Sequence, residues 1–361
     1  MGSEPVQRRL QFVLWQYDIP PVQEVSLSFF GMANEVFVIT TEQGKVVLKN
    51  CFKRNTVQLV ENEIALIDHL NAHQCPTPKV IPTKDGRQYV EFSGHIYVMT
   101  EYIPDRTITW SEPNKLRFRP QTAGALATFH KAMQSFNEPH PNLQMQTLDV
   151  DAYMTWLTNL EAQLRRSDGE KSAAMLALVP KLRSSALALQ QQMDAVDLTP
   201  LKRCYIHGDM HCFNLFYDAN EHYTQLIDFD FSRLDYRLGD VYWTSQIFYY
   251  QQLRHRFSTQ QLDAGEFDES AELASEILQD NWRVIIEHYR KTLPLPADEL
   301  RLIGLFVQAV PMYISRFFSL DNSEEECKGH VEWFTRELEL VEKQTLLVSN
   351  AIETVLQELG E

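Results

Sequence analysis

The sequence predicts an α+β fold: a small antiparallel sheet region followed by a mainly helical remainder. Three observations predict it. Residues 25–52 and 88–100 carry apolar or alternating runs bounded by turn residues, the pattern of strands. From residue 121 onward long stretches place apolar residues at helical spacing. Between the helices, residues 204–230 break into short apolar runs separated by His, Asp and Asn, the pattern of a small hairpin that presents polar groups.

Residues 5–17 read as a short amphipathic helix with Leu10, Val13 and Leu14 on one side, ended by Ile19-Pro20-Pro21. Strands follow at 25–30, 35–40 and 45–52, with Glu42-Gln43-Gly44 turning between the second and third. A helix over 56–72 places Val60, Ile64, Ile67 and Leu70 on one stripe, and Cys75-Pro76-Thr77-Pro78 ends it. Residues 88–92 and 96–100 form a hairpin around Ser93-Gly94. Helices are expected over 121–134, 154–164 and 173–193, then three short strands at 204–206, 215–217 and 223–227, with a polar turn at Asp218-Ala219-Asn220-Glu221. The chain closes with a helix after Asp240 that is crowded with Tyr242, Trp243, Phe248, Tyr249 and Tyr250, and with helices over 271–290, 297–318 and 332–359. Core packing is the default reading of that aromatic cluster, and a substrate wall the alternative.

The chemistry concentrates in Tyr205-Ile206-His207-Gly208-Asp209-Met210-His211-Cys212-Phe213-Asn214 and Leu226-Ile227-Asp228-Phe229-Asp230. Phosphoryl transfer from a nucleotide needs a carboxylate to orient and deprotonate an attacking hydroxyl, and a second carboxylate with an amide oxygen to hold Mg2+. Asp209 fits the first role; Asn214 and Asp228 fit the second. A second feature is Lys49, which ends the apolar run Val46-Val47-Leu48 and needs a partner for its ammonium.

His207-Gly208-Asp209, with Asn214 five positions after Asp209, resembles the catalytic loop of protein-kinase-like phosphotransferases, in the form found in the aminoglycoside phosphotransferase and type II homoserine kinase superfamily. Ile227-Asp228-Phe229-Asp230 resembles the metal-binding segment of the same group. The resemblance implies a two-lobed fold, with an N-lobe over 1–101, a hinge at 102–106 and a helical C-lobe over 107–361, and ATP between the lobes. It assigns Lys49 to the α/β-phosphates, steered by a Glu of the next helix. Glu63 fits that place better than Glu61, which remains the alternative. The turn from Phe30 to Glu35, including Asn34, corresponds to the loop over the phosphates, with one Gly where protein kinases carry a glycine-rich set. Backbone groups of Glu101 and Ile103 would meet adenine, with Val47 and Met99 as apolar walls. His207 would fix the catalytic loop, His211 would approach the transferred phosphate, and Asp240 would brace the loop through backbone bonds, with a helix N-cap as its local reason. His130, ending Leu126-Ala127-Thr128-Phe129, is expected to be structural. Glu324-Glu325-Glu326 reads as a solvated charge run, with binding of substrate amines as the alternative.

The expected activity is ATP- and Mg2+-dependent phosphorylation of a hydroxyl on a small molecule: an aminoglycoside, homoserine, an amino alcohol or a sugar. A protein Ser/Thr kinase of the same fold and a nucleotide-binding pseudokinase scaffold remain as alternatives. The net charge of −16 argues against a nucleic-acid partner, and five cysteines without a C-x-x-C pair argue against a disulfide framework or zinc site. Cys212 lies within the loop, as a packing residue or a thiol open to reagents. With no signal peptide and no apolar run read as long enough to span a bilayer, a cytoplasmic protein without a membrane partner is expected.

Overall fold

The structure is a computed structural model that describes residues 4–28, 34–51, 56–109, 112, 114–141, 143–167, 169–256, 272–316 and 324–361. In chain order the elements are α1 (Glu4–Trp15), β1 (Val22–Leu27), β2 (Glu35–Thr41), β3 (Gly44–Asn50), α2 (Val57–Ala72), β4 (Val90–Phe92), β5 (His95–Glu101), β6 (Arg106–Thr107), α3 (Arg119–Met133), α4 (Val150–Leu164), α5 (Glu170–Asp194) and β7 (Arg203–Ile206). There follow β8 (Leu215–Tyr217), β9 (Tyr223–Leu226), β10 (Arg233–Tyr236), α6 (Arg237–Arg256), α7 (Glu272–Arg290), α8 (Ala297–Leu300), α9 (Ile303–Ser315) and α10 (Glu324–Glu358). The chain forms two compact units. The first comprises Met1–Pro113, Thr128–Leu143 and His211–Ser232; the second comprises Asn114–Ala127, Gln144–Met210 and Arg233–Glu361.

The first unit is built on an antiparallel sheet of order β1-β2-β3-β5-β4. Its alternation sorts side chains between two helices. Leu48, Tyr97 and Met99 join Leu10 and Val13 of α1 in one buried cluster. Ile96 and Val98 join Val60 and Ile64 of α2 in another. Lys49 is the register partner of Val98, so it points to the α2 face. Thr56 caps α2, its hydroxyl accepting from the Leu59 N–H at 3.4 Å. The β4–β5 hairpin turns where expected, with positive φ at both Ser93 (53°) and Gly94 (76°). A smaller sheet, β6-β8-β9, pairs Leu215 with Leu226 and carries the chain on either side of its hairpin. The Leu226 N–H donates to the Pro76 carbonyl at 3.0 Å, and the Thr107 hydroxyl to the Phe213 carbonyl at 2.9 Å.

The second unit is helical apart from the β7–β10 ladder, which pairs Ile206 with Arg233. Strand β10 escapes sequence patterning because its buried positions are Arg233 and Asp235, not apolar residues. The single helix expected over 297–318 is broken. Backbone bonds of the i to i+3 type at Leu302 and Leu305 close a tight turn between α8 and α9. Among the described helices α5 alone is long and apolar enough to cross a membrane by composition, an exception to the sequence reading. Its Met175, Leu178, Leu182 and Leu189 are buried, and it packs on α4, α9 and α10.

Candidate active site

In the first unit the α2 face of the sheet carries the charges. The Lys49 ammonium lies 2.7 Å from Glu63 Oε1 and 2.5 Å from Asp230 Oδ1. Burial works against the ammonium, but Asp230 and Glu63 outweigh it and hold its pKa well above the ordinary lysine value, so Lys49 is a cation throughout the neutral range. Glu61 turns elsewhere: it accepts from the Tyr89 hydroxyl at 3.1 Å and pairs with His140 at 2.6 Å. Of the two glutamates on this helix, the one that meets Lys49 is Glu63.

Asp230 also accepts from Asn34 Nδ2 at 2.6 Å, tying the start of β2 to the segment after β9. Asn34 is buried, and its Oδ1 has no hydrogen-bond partner among the described residues. Sequence reasoning placed Asn34 and Asp228 but gave no separate role to Asp230. The available signal was the second acid of Asp228-Phe229-Asp230. The rest of the expected phosphate loop, Phe30 to Ala33, lies outside the described residues.

Asn214 is buried, and its carbonyl accepts from the Ile227 N–H at 3.0 Å. That bond sets Asn214 against the residue preceding Asp228, at the end of the β8–β9 hairpin. Asp228 has φ of 71°, a left-handed conformation uncommon outside glycine and found at strained functional positions. The Asn214 amide and the Asp228 carboxylate are hard oxygen donors, of the kind that suits Mg2+ or Ca2+ and not a thiophilic metal. The residues present therefore fit a hard divalent cation.

At the expected adenine position, the Glu101 N–H is already taken by the Lys79 carbonyl at 3.0 Å, and the Ile103 side chain is buried. Met99 is fully buried in the cluster under α1, on the face opposite Lys49, which removes it as an adenine wall.

In the second unit the loop before Asp209 is fixed through its backbone. The Asp240 carboxylate accepts from the His207 N–H at 2.7 Å and from the Gly208 N–H at 2.8 Å. Gly208 takes φ of 81°, which glycine adopts without a Cβ penalty. His207 is fully buried and Asp209 half-buried. The Asp209 N–H approaches His207 Nδ1 at 3.3 Å, so that nitrogen acts as the acceptor. His207 thus shapes the loop from inside. Asp240 is the fourth residue of α6 and serves the loop's N–H groups, not its own helix end as an N-cap would. The Thr244 hydroxyl donates to the Met210 carbonyl at 2.9 Å, adding a further α6 contact. His130 is buried, as expected of a structural residue, and Cys212 is fully buried, which favours packing over reactivity. His211 packs edge-on to Phe213 within the first unit, at 5.3 Å between ring centroids. The side chains of Glu324, Glu325 and Glu326 lie outside the described residues.

A cleft in the second unit adjoins the loop at Gly208 and Asp240. Trp243 and Tyr313 form an edge-to-face pair on its wall, 5.7 Å between centroids, and the Tyr313 hydroxyl reaches the Gly208 carbonyl at 3.4 Å. Tyr242 also lines it, while Phe248 is buried core. The aromatic cluster after Asp240 therefore serves both packing and a cleft wall.

The profile of the APH family, described as "Phosphotransferase enzyme family", matches residues 30–275. The chain belongs to this family. The matched stretch holds Lys49, Glu63, the loop around Asp209, and Asp228. A homoserine kinase from Zymomonas mobilis is 25% identical over 228 residues, covering 62% of this chain and 65% of the relative, just under two thirds of its length. A microcompartment-associated aminopropanol kinase has a similar fold, with a TM-score of 0.65 at 17% identity, covering 95% of this chain and 98% of that one. An amicoumacin kinase in complex with AMP-PNP and Ca2+ superposes with a TM-score of 0.64 at 15% identity, covering 96% and 94%. The fold is the protein-kinase-like one of these phosphotransferases, with an antiparallel sheet at the N-terminal end and a mostly helical remainder.

Proposed function

We propose that this phosphotransferase is a small-molecule kinase that moves the γ-phosphate of Mg-ATP to a hydroxyl of its acceptor. The observation that carries the reading is the Lys49 ammonium held between Glu63 and Asp230, a cation fixed on the sheet face where phosphates need one. Asn214 and Asp228 are the metal-holding pair, and bound Mg2+ would neutralise charge on the phosphate oxygens. Asp209 orients the acceptor hydroxyl and takes its proton. The new bond joins the acceptor oxygen to the γ-phosphorus, the bond to ADP breaks, and ADP leaves with its electron pair. His207 and Asp240 hold the loop in shape, so Asp209 needs no reorganisation as the reaction proceeds. His211 neighbours the transferred group, and Asn34, Glu101 and Ile103 border the nucleotide. Relatives named for homoserine, aminopropanol and amicoumacin set the expectation that the acceptor is a small hydroxyl compound, and the reaction belongs in the cytoplasm.

The test is Mg-ATP-dependent ADP release across amino alcohols, hydroxy amino acids, aminoglycosides, sugars and generic protein substrates. Stimulation by one small-molecule class is expected, and Asp209→Asn is expected to lower kcat by about a thousandfold. An Asp209→Asn enzyme with wild-type turnover would remove the proposed role. ADP release stimulated by proteins alone would move the reading to a protein kinase. Nucleotide binding with silence across the panel would move it to a scaffold.

A further inference from the structure

Two guanidinium groups sit over one aromatic ring beside the cleft. Arg233 lies 5.2 Å and Arg316 4.9 Å from the Tyr313 centroid. Their circumstances differ. Arg233 is buried and neutralised: it bonds Asp235 at 2.9 and 3.0 Å and Thr147 Oγ1 at 3.1 Å. Asp235 in turn accepts from the Thr147 N–H and hydroxyl, at 2.8 and 2.7 Å. Arg316 is only half-buried. It reaches the Tyr313 carbonyl through Nε at 3.4 Å and the Met145 carbonyl through Nη1 at 3.1 Å. It forms no ion pair with a carboxylate of the described residues, and its Nη2 hydrogens bond none of their atoms. Burial, and then the neighbouring Arg233, pull its pKa down to about 10. It remains a cation at neutral pH.

An aromatic pair such as Trp243 and Tyr313 would otherwise suit an ammonium group through cation–π contact. Here the Tyr313 ring is already occupied by two guanidinium cations, so an ammonium, a third cation, would be repelled. An oxyanion meets the opposite situation: a guanidinium Nη2 that bonds no atom of the described residues, and a surplus positive charge. The ring that carries Arg316 also reaches the carbonyl of Gly208, the residue before Asp209, so an acceptor anchored there is within a few bonds of the loop.

We infer that Arg316, seated on Tyr313 beside Arg233, binds a carboxylate of the phosphate acceptor, so that the enzyme selects a short hydroxy acid over an amino alcohol or an aminoglycoside. The inference rests on the kinase reading and refines it. It makes Arg316 a specificity residue of the second unit, placed by a helix that carries no recognisable motif.

The experiment compares three acceptors: L-homoserine, 4-hydroxybutyrate, which lacks its amine, and 3-aminopropan-1-ol, which lacks its carboxylate. The wild type is expected to favour both carboxylates over 3-aminopropan-1-ol in kcat/KM. Arg316→Gln is expected to cut that preference by about tenfold to a hundredfold, mainly through KM, with Arg316→Lys intermediate. Melting temperatures of both variants check folding. Equal or better use of 3-aminopropan-1-ol by the wild type, or an unchanged preference in a folded Arg316→Gln protein, overturns the subsite and leaves the kinase reading intact. Calorimetric titration with 4-hydroxybutyrate decides the matter independently of turnover. Binding by the wild type that Arg316→Gln abolishes supports the subsite even if the kinase reading fails, and no binding by the wild type overturns it.

Discussion

Two clusters of ion pairs in this protein use the same chemistry to opposite ends. In the second unit, Arg237 grips Glu299 through two parallel bonds of 2.9 and 2.5 Å, and the Lys202 N–H fills the remaining approach to Oε1 at 3.3 Å. Glu299 has no exposed surface, and the planar fork matches the carboxylate. In the first unit, Lys49 is a single point charge shared by Glu63 and Asp230, and both Lys49 and Glu63 keep 18% of their side-chain surface open. The first cluster is closed and anchors the short helix α8. The second is open at its edge and carries one ammonium between two acids, a net charge of −1 within the cluster. A buried cation–carboxylate pair is therefore no sign of a site by itself; the residual access and the mismatch of charge are.

Breaking the closed pair should have the largest effect on folding. Glu299→Ala strands the Arg237 charge and should cost about 3–5 kcal/mol, seen as a large drop in Tm or denaturant midpoint, while molecules still folded retain their turnover. An unchanged Tm would erase the distinction between the two clusters. Breaking the open pair should act on catalysis instead. Lys49→Met is expected to lower kcat/KM by about a hundredfold to a thousandfold, with a smaller Tm change than Glu299→Ala, because Glu63 keeps access to water and Asp230 keeps its bond from Asn34. Glu63→Gln should lose about tenfold in kcat/KM by loosening Lys49, whereas Glu61→Gln, whose partners are Tyr89 and His140, should stay near wild type. A larger loss in Glu61→Gln than in Glu63→Gln would reverse the assignment.

The open cluster was largely legible in the sequence because it is built from local pattern. Lys49 ends an apolar strand, and strand period alone turns it to the face opposite Leu48. Two acids in the first half of α2 narrowed its partner to two, and only the packed helix turned Glu63 inward and Glu61 toward His140. The pairing of Asp230 with Lys49 joins residues 181 positions apart, a distance at which no local rule operates. Asp240 was legible as a brace of the loop backbone, but not its place in the helix: it serves the N–H groups of the preceding loop and does not cap its own helix. The carboxylate subsite had no sequence signal, since Arg233 sits in a strand whose buried side is charged and Arg316 ends a motif-free helix.

By itself, then, the sequence determined most of the strands and helices, the loop that carries Asp209, and the residues proposed to meet phosphate and metal. Those depend on short-range periodicity and on motifs whose spacing is set by a single hairpin. The tertiary structure decided which charges meet: Glu63 over Glu61, Asp230 on Lys49 and Asn34, Arg237 sealed by Glu299, and Arg316 without a carboxylate partner among the described residues. Coulombic pairing and burial depend on where separate elements come to rest, and that is a property of the packed chain and not of any stretch of it.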